Sequence, residues 1–234
     1  MLIVKTGTVR TALTDADGDF EDWFARALGR PVQVCSVFEG DELPAPDASA
    51  GVVVTGSAAM VSDREAWIGR TAGWLRSAVE AAVPVLGVCF GHQLLAHAFG
   101  GRVGPNPRGR EIGTVGVTLA EGAAADPLLA ALPARIDVHA THQESVLELP
   151  PGAELLASSA LDPHQAFRLP GRPAWGLQFH PELTAAITRG YIEAKRRDMR
   201  REGLEPDRLL AGVRETPWGG DILVRFAQLA DEVG

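Results

Sequence analysis

One of the two cysteines, Cys89, lies where a strand pattern meets a helix pattern, and this position suits a nucleophile. The apolar run Val83–Val88 precedes it, and helical spacing begins at Phe90. Gly87 and Gly91 lie two positions before and after it, as expected for a turn too tight for larger neighbours. The start of a helix favours the thiolate form of a cysteine. A buried structural cysteine is the common alternative, but it would need neither glycine.

A nucleophilic cysteine needs a base, and the base needs a group that orients it. The segment Ala174–Glu182 offers both, because an apolar strand pattern leads into His180 and then Glu182. Side chains alternate along an extended chain, so His180 and Glu182 are expected on the same side. Pro181 favours that extended geometry. A surface His-Pro-Glu turn is common, so this tripeptide gains its weight from the pairing with Cys89.

The segments Gly87–Gln93 and Gln178–Glu182 together resemble the class I glutamine amidotransferase family, in the subgroup similar to the amidotransferase domain of GMP synthetase. The resemblance implies that Cys89 forms a γ-glutamyl thioester with glutamine and that ammonia is released. It makes His180 the general base and acid and Glu182 the orienting carboxylate. It also implies a flavodoxin-like α/β fold, with helices flanking a doubly wound, mostly parallel sheet that carries added antiparallel strands. It implies no cofactor.

The same resemblance implies an oxyanion hole, which needs two preorganised N–H donors. One donor would come from the turn after the strand pattern Gly51–Thr55, from Gly56 or Ser57, and the other from Phe90. The chain has Ser57 and Ala58 where the family commonly has Gly and Pro, so the donor of this turn stays open. An ordinary strand-to-helix loop is an equally good interpretation of the turn alone.

The resemblance further implies contacts to the substrate. The implied residues are Gln93, Thr141, Gln143 and Glu144. Many family members have Gly-Asp where this chain has Gln143 and Glu144. This exchange favours a second hypothesis, in which the substrate is a γ-glutamyl compound other than free glutamine. His92 is expected to be structural, because it leaves the turn at a different angle.

Strand and helix patterns alternate through the first part of the chain. Strand patterns cover Leu2–Lys5, Val32–Phe38, Gly51–Thr55 and Val83–Val88, with helical patterns over 18–28 and 63–82. This alternation predicts a doubly wound sheet whose strands end at the functional site. The shorter strand patterns from Arg102 to Leu169 predict antiparallel additions, and Ala174–Phe179 returns to the core. Beyond them, Tyr191–Arg201 reads as one charged, solvated helix and Asp221–Leu229 as an amphipathic helix.

The composition indicates one enzyme-sized α/β domain over 1–234, with 183–234 as a C-terminal helical extension. The net charge of −8 disfavours a nucleic-acid partner. Cys35 and Cys89 do not make a disulfide framework. No apolar run reaches membrane-spanning length, and Leu2–Val4 is too short for a signal peptide. We therefore expect a cytoplasmic protein with no membrane partner. His139 and His142 fall on opposite strand faces, so no metal site is predicted.

Three functions remain open from the sequence. The first is hydrolysis of glutamine, whose ammonia would pass to a separate synthase subunit, because no phosphate-binding loop occurs in these 234 residues. The second is a γ-glutamyl peptidase or hydrolase. The third is a non-enzymatic redox sensor in which Cys89 is the thiol that becomes oxidised. The pairing of His180 with Glu182 disfavours the third, since a sensor needs no oriented base.

Overall fold

The computed structural model describes residues 1–9 and 18–233, in which strands and helices mix up to residue 98, strands dominate to residue 177 and helices follow. The strands are β1 (Leu2–Lys5), β2 (Gln33–Ser36), β3 (Val52–Val54), β4 (Val85–Val88), β5 (Arg102–Pro105), β6 (Glu111–Leu119), β7 (Arg135–His142), β8 (Glu144–Glu148), β9 (Glu154–Ser159), β10 (Ala166–Leu169) and β11 (Ala174–Leu177). The helices are α1 (Phe20–Leu28), α2 (Ala66–Glu80), α3 (Phe90–Ala98), α4 (Ala185–Ala194), α5 (Arg196–Arg201), α6 (Pro206–Gly212) and α7 (Trp218–Val233). Short 3-10 helices lie at Val61–Asp63 and Glu121–Ala125.

The described strands form one large sheet in the order β2-β1-β3-β4-β11-β10-β9-β6-β7. Neighbours from β2 to β11 pair in parallel, and neighbours from β11 to β7 pair antiparallel. Strands β5 and β8 form a separate antiparallel pair. A mostly parallel α/β sheet with antiparallel additions confirms the predicted fold class. The carboxyl ends of β3, β4 and β11 meet at one edge of the sheet.

The two faces of the parallel strands carry separate apolar layers, because side chains alternate along a strand. Leu2 and Val4 of β1 pack in one layer with Leu75 of α2. Ile3 packs in the other layer with Phe226 of α7. Helices α2 and α3 therefore cover one face of the sheet, and α1 and α7 cover the other. Across 1–9 and 18–233, no helix combines the length and apolarity needed to cross a bilayer.

The prediction of one continuous helix over Tyr191–Arg201 is wrong. Helix α4 ends at Ala194 and α5 begins at Arg196, with Lys195 between them at φ −99° and ψ 7°. The break is associated with tertiary packing, because it brings Met199 of α5 into an apolar cluster with residues of α4 and β6. The amphipathic helix predicted over Asp221–Leu229 is confirmed and extends to Trp218–Val233.

The turn around Cys89 is held by close approaches of the backbone. A Cβ atom on Gly91 would lie 2.4 Å from the carbonyl oxygen of Val54. A Cβ atom on Gly87 would lie 2.4 Å from the carbonyl oxygen of Gly91. Backbone atoms cannot rotate away as a side chain does, so both positions require glycine for space.

We expect Gly91→Ala to lower the free energy of unfolding by about 1–3 kcal/mol, the range for an overpacked core. Urea denaturation measures this change. The matched control is Gly69→Ala on the exposed side of α2, where a Cβ would meet nothing within 4 Å. That control should raise the free energy of unfolding by up to about 1 kcal/mol. Equal effects of the two substitutions would contradict the proposed crowding at Gly91.

Candidate active site

The backbone of Cys89 forms a sharp turn between β4 and α3, with φ 52° and ψ −101°. A non-glycine residue with positive φ is strained, and such strain clusters at functional sites. Two hydrogen bonds hold the turn: the N–H of Cys89 donates to the carbonyl of Leu177 at 2.8 Å, and the N–H of Gly91 donates to that of Thr55 at 3.2 Å. The sulfur therefore lies between the ends of β3 and β11.

His180 and Glu182 form a buried pair beyond the end of β11. The distance from His180 Nδ1 to Glu182 Oε1 is 2.6 Å, and both residues are buried. The extended path expected through Pro181 is wrong: β11 ends at Leu177, and residues 181–182 lie in a turn. A turn also brings side chains two residues apart together, so the predicted proximity is reached by a different backbone.

Packing fixes the ring of His180. Phe20 stacks on it with ring centroids 6.3 Å apart and an interplanar angle of 12°. On another side, a Cβ atom on Gly56 would lie 2.9 Å from His180 Cε1. The backbone N–H of His180 donates to the backbone carbonyl of His139 at 2.8 Å. His180 Nε2 is buried and has no hydrogen-bond partner among the described residues. His180 and Cys89 line the same cavity.

Nearby charges shift the protonation of Cys89 and His180. Burial raises the pKa of the Cys89 thiol, but the charge and polar contact of His180 outweigh burial and lower that pKa below its usual value. Burial also lowers the pKa of His180, but the charges of Glu182 and Cys89 outweigh it and raise that pKa. The two opposite shifts favour a thiolate–imidazolium pair, the nucleophilic form of a cysteine.

The space around Cys89 has two lobes, which share Ser57, Ala58, Cys89, Thr141 and Lys195 as walls. The histidine lobe, about 90 Å³, is also lined by Thr8, Val9, Phe20, His180 and Tyr191. The glutamate lobe, about 80 Å³, is also lined by Ala59, Met60, Phe90, Gln93, Arg110, His142, Gln143 and Glu144. Cys89 thus borders both lobes.

All four predicted substrate residues line the glutamate lobe, but their side chains differ in availability. Gln93 Nε2 already donates to the carbonyl of Glu144 at 2.8 Å and to Gln178 Oε1 at 3.0 Å. Gln143 is exposed and donates to Glu202 Oε1 at 3.2 Å. The carbonyl oxygen of Thr141 lies 4.0 Å from Cys89 Sγ. The contacts of these three residues shape the lobe.

Besides the Thr141 hydroxyl, which is buried without a hydrogen-bond partner among the described residues, the predicted substrate residue with a side chain free to bind is Glu144. It is buried, and both its carboxylate oxygens lack a hydrogen-bond partner among the described residues. Its backbone carbonyl is held by His142 Nδ1 at 3.0 Å, and His142 Nε2 contacts Glu111 Oε2 at 3.0 Å. Burial lowers the pKa of His142, but the hydrogen bond with Glu111 and the nearby negative charges together outweigh burial and raise that pKa. A buried carboxylate without a partner is costly, so this site suits a cationic ligand.

Two of the predicted oxyanion residues border the cavity. Ser57 lines both lobes and Phe90 lines the glutamate lobe. The Ser57 hydroxyl donates to the carbonyl of Thr6 at 2.7 Å and accepts from the N–H of Ala59 at 3.0 Å. These bonds fix the turn after β3 and leave the hydroxyl engaged. Gly56 instead packs against His180. The roles of Gly56, Ser57 and Phe90 as donors stay predictions.

Sequence reasoning missed two cations at the site, Arg110 and Lys195. The Arg110 side chain is only 6% exposed and pairs with Glu202 at 2.7 Å. Lys195 belongs to the run interpreted as solvated, and its exposed neighbours, such as Arg197, fit that interpretation. Lys195 and Arg196 are instead half-buried. No motif marks either cation, because tertiary packing brings both to the cavity.

His92 packs away from the cavity, as expected for a structural residue. Its ring lies against Phe167 with centroids 5.0 Å apart, and it lines neither lobe. Burial lowers the pKa of His92 to about 3, so its ring is neutral. The second cysteine, Cys35, is a buried residue of β2, and burial raises the pKa of its thiol. It has the core position that the sequence predicts.

Comparison with known proteins identifies the family. The model of the family "Glutamine amidotransferase class-I" matches residues 13–195. A GMP synthase [glutamine-hydrolyzing] of Thermomicrobium roseum is 43% identical over 133 residues, which cover 57% of this chain and 23% of that protein. One subunit of a GMP synthase [glutamine-hydrolyzing] of Thermococcus kodakarensis is 38% identical over 119 residues, covering 49% and 61%. The chain thus spans under two thirds of the length of each relative.

The fold comparison agrees with the sequence comparison. A glutamine amidotransferase structure from Thermotoga maritima superposes with a TM-score of 0.77 over 99% of this chain and 98% of the other, at 22% identity. At this identity the likeness concerns the fold alone. The family match covers most of the sequence and includes both segments that build the site. The chain therefore belongs to the class I glutamine amidotransferase family.

Proposed function

We propose that this chain hydrolyses the side-chain amide of glutamine through Cys89 and releases ammonia. The observation that carries the proposal is the strained turn that puts Cys89 at a cavity shared with the buried His180–Glu182 pair. The names of the GMP synthase relatives include glutamine hydrolysis. A nucleophile, a base and an orienting carboxylate are the groups that acyl transfer requires.

In the first half of the proposed reaction, the Cys89 thiolate attacks the amide carbon of glutamine. The carbonyl oxygen becomes negative, and N–H donors from the turn after β3 and from Phe90 stabilise it. The C–N bond then breaks, and the His180 imidazolium gives its proton from Nε2 to the leaving nitrogen. The products of this half are ammonia and a γ-glutamyl thioester on Cys89.

In the second half, water attacks the thioester carbon. His180 Nε2 is now neutral and accepts a proton from that water. The C–S bond breaks, which releases glutamate and restores the thiolate beside the imidazolium. Glu182 holds the ring through Nδ1 in both halves and stabilises its positive charge, so it transfers no proton itself.

The glutamate lobe is the proposed site for the amino-acid end of the substrate. The unpartnered carboxylate of Glu144 suits the α-ammonium group of glutamine. Arg110 borders the same lobe; its Nε and Nη2 donate to Glu202, and the remaining Nη1 would bind the α-carboxylate, because guanidinium binds carboxylate strongly. With both ends held there, the side-chain amide would reach Cys89. Gln93, Thr141 and Gln143 would shape the lobe.

The partner and the organisation of the chain are also proposals. The Thermococcus kodakarensis relative is named as one subunit of its enzyme, which favours a separate synthase subunit that accepts the ammonia. We place the chain in the cytoplasm, where a cysteine nucleophile stays reduced. Residues 1–234 would form one domain, supported by the large sheet that joins early strands to β10 and β11. Residues 183–234 would be a helical extension of it.

The purified chain, incubated with glutamine, tests the proposed reaction. We expect glutamate and ammonia to form in equal amounts, and we expect the rate to be saturable. Release of glutamate and ammonia is followed separately, so that a contaminating reaction is recognised. A chain that binds glutamine but forms neither product would overturn the proposal in favour of a sensor that oxidises Cys89.

A charge change at Glu182 should move the pH dependence of the reaction. The Glu182 charge raises the pKa of His180, and above that pKa the ring cannot protonate the leaving nitrogen. In Glu182→Gln the pKa of His180 should fall, so the alkaline decline of kcat/KM should begin at lower pH. The rate loss should be about tenfold to a hundredfold smaller than that of His180→Asn. An unchanged alkaline limb would show that Glu182 does not set the protonation of His180.

A further inference from the structure

The histidine lobe is larger than ammonia requires, and its walls include apolar side chains and a cation. We propose that the chain also cleaves γ-glutamyl amides whose leaving amine carries a carboxylate, such as γ-glutamyl amino acids, and that Lys195 binds this carboxylate. The inference rests on the proposed role of Cys89 and names a wider substrate class for the same site. Four observations carry it: the side on which the leaving group must lie, the size of the lobe, its lining, and the unpaired charge of Lys195.

The position of His180 decides where the leaving group lies. The leaving nitrogen must receive its proton from His180 Nε2, so it leaves on the side of Cys89 that His180 borders. That side is the histidine lobe. The other lobe is lined by Glu144 and Arg110, whose opposite charges fit the amino-acid end common to glutamine and every γ-glutamyl compound. The histidine lobe therefore receives what differs between these substrates.

The volume of the histidine lobe exceeds the need of ammonia. A cavity for one water molecule requires only about 10–15 Å³, and ammonia is similar to water in size. The histidine lobe has about 90 Å³. Its walls include the side chains of Val9, Phe20 and Tyr191, which are buried and largely apolar. Such walls pack against carbon atoms, which ammonia lacks.

The charge of Lys195 has no hydrogen-bonded or ion-pair partner in the part of the chain that the structure describes. No ion pair or hydrogen bond of Lys195 Nζ occurs within residues 1–9 and 18–233, although the side chain is half-buried. Besides Cys89, the acidic groups that act on it are already engaged, Glu202 by Arg110 and Asp198 by Arg201. Burial and then the charge of Arg110 lower the pKa of Lys195. A carboxylate bound beside Lys195 would offset the cost of holding its positive charge there, because charge-assisted hydrogen bonds are strong.

The wider reaction needs no new chemical step. Cys89 attacks the γ-glutamyl carbon, the C–N bond breaks, and His180 protonates the nitrogen of the leaving amino acid instead of ammonia. Water then cleaves the thioester and releases glutamate. The atoms balance with water as the only co-reactant. The leaving amino acid would hold its carboxylate against Lys195 while its nitrogen faces His180.

Three substrates separate charge from size at the leaving group. Glutamine releases ammonia as its leaving group. γ-Glutamylmethylamide releases a small amine without a carboxylate, and γ-glutamylglycine releases glycine. In Lys195→Met, we expect the ratio of kcat/KM for γ-glutamylglycine to kcat/KM for γ-glutamylmethylamide to fall about 10- to 100-fold, the effect of one charged hydrogen bond. Lys195→Arg should restore much of that ratio, because it restores the charge.

A matched control comes from the same basic run. Arg197→Met removes an exposed cation that lines neither lobe, so the ratio should keep its wild-type value. Thermal unfolding of each variant checks that the fold is intact. Methionine keeps the length and apolar packing of the lysine stem, so Lys195→Met should unfold at nearly the wild-type temperature.

The outcomes distinguish this inference from the proposed function. If wild type hydrolyses glutamine but not γ-glutamylglycine, the inference is wrong and the function of Cys89 stands. If Lys195→Met lowers kcat/KM equally for all three substrates, Lys195 binds the glutamyl end and the assignment of the carboxylate is wrong. If γ-glutamylglycine is cleaved and glutamine is not, the inference stands and glutamine is not the substrate. No turnover of any substrate overturns both.

Discussion

Cys89→Ala is expected to lower glutamine hydrolysis by at least about 10⁴-fold, since loss of a nucleophile leaves only the oxyanion hole and binding. Alanine removes the sulfur that would form the thioester, while the turn and the lobes keep their shape. Binding should therefore survive. Steady-state release of glutamate measures the loss, and titration calorimetry with glutamine measures the binding that remains.

The other cysteine provides the control for this substitution. Cys35 lies in β2, lines neither lobe, and is buried like Cys89. Cys35→Ala should keep nearly the wild-type rate, with a modest loss of stability from the small cavity. Binding and the oxyanion hole alone sustain only a small residual rate. A Cys89→Ala protein that keeps more than about a hundredth of the wild-type rate would therefore mean that the sulfur is not the nucleophile.

The second large effect is expected for His180→Asn, with a fall in kcat of about 10³- to 10⁴-fold. The substitution removes the proton donor for the leaving nitrogen and the proton acceptor for water. It also removes the charge that lowers the pKa of Cys89. The rate of Cys89 alkylation by iodoacetamide should therefore fall at neutral pH, and its midpoint should move to higher pH. This second measurement reports on the thiolate independently of turnover.

His97→Asn is a suitable control, because His97 is exposed on α3 and lines neither lobe. It should leave both kcat and the alkylation midpoint at their wild-type values. A His180→Asn protein with near-normal turnover would refute the role of His180. A smaller loss in His180→Asn than in Glu182→Gln would show that the two roles are misassigned.

The sequence predicts the central part of the site because local patterns encode it. The glycines two residues before and after Cys89 are required by close approaches of the backbone. Their spacing can be recognised in the sequence alone. The alternation of strands and helices likewise predicts the parallel strands β1 to β4, and the pattern Ala174–Phe179 predicts a return to that core, where the structure pairs β11 with β4. That pairing brings His180, which follows β11, to Cys89, which follows β4.

The route of the chain after β11 is not encoded in the same way. A spacing of two residues between His180 and Glu182 suits an extended strand and a turn alike, so the sequence does not distinguish them. The structure has the turn. The interruption at Lys195 is also invisible, because it depends on the burial of Met199 against distant residues.

The cations of the site show the limit of motif reasoning most clearly. Arg110 precedes β6, and Lys195 joins α4 to α5, far apart in the chain. Each looks like an ordinary solvated residue in the sequence. They border the lobes only after the antiparallel strands and the C-terminal helices have packed beside Cys89. The positions of the residues proposed to recognise the substrate thus depend more on tertiary packing than the position of Cys89 does.

The most direct test of the account is covalent trapping with a glutamine-analogue electrophile, a diazoketone that carries the amino-acid end of glutamine. Mass spectrometry of the digested protein should find one label per chain, on the peptide that contains Cys89, and excess glutamine should slow the labelling. Cys89→Ala should take up no label. Labelling of Cys35 at the same rate, or a Cys89 that stays unlabelled while the protein hydrolyses glutamine, would contradict the account.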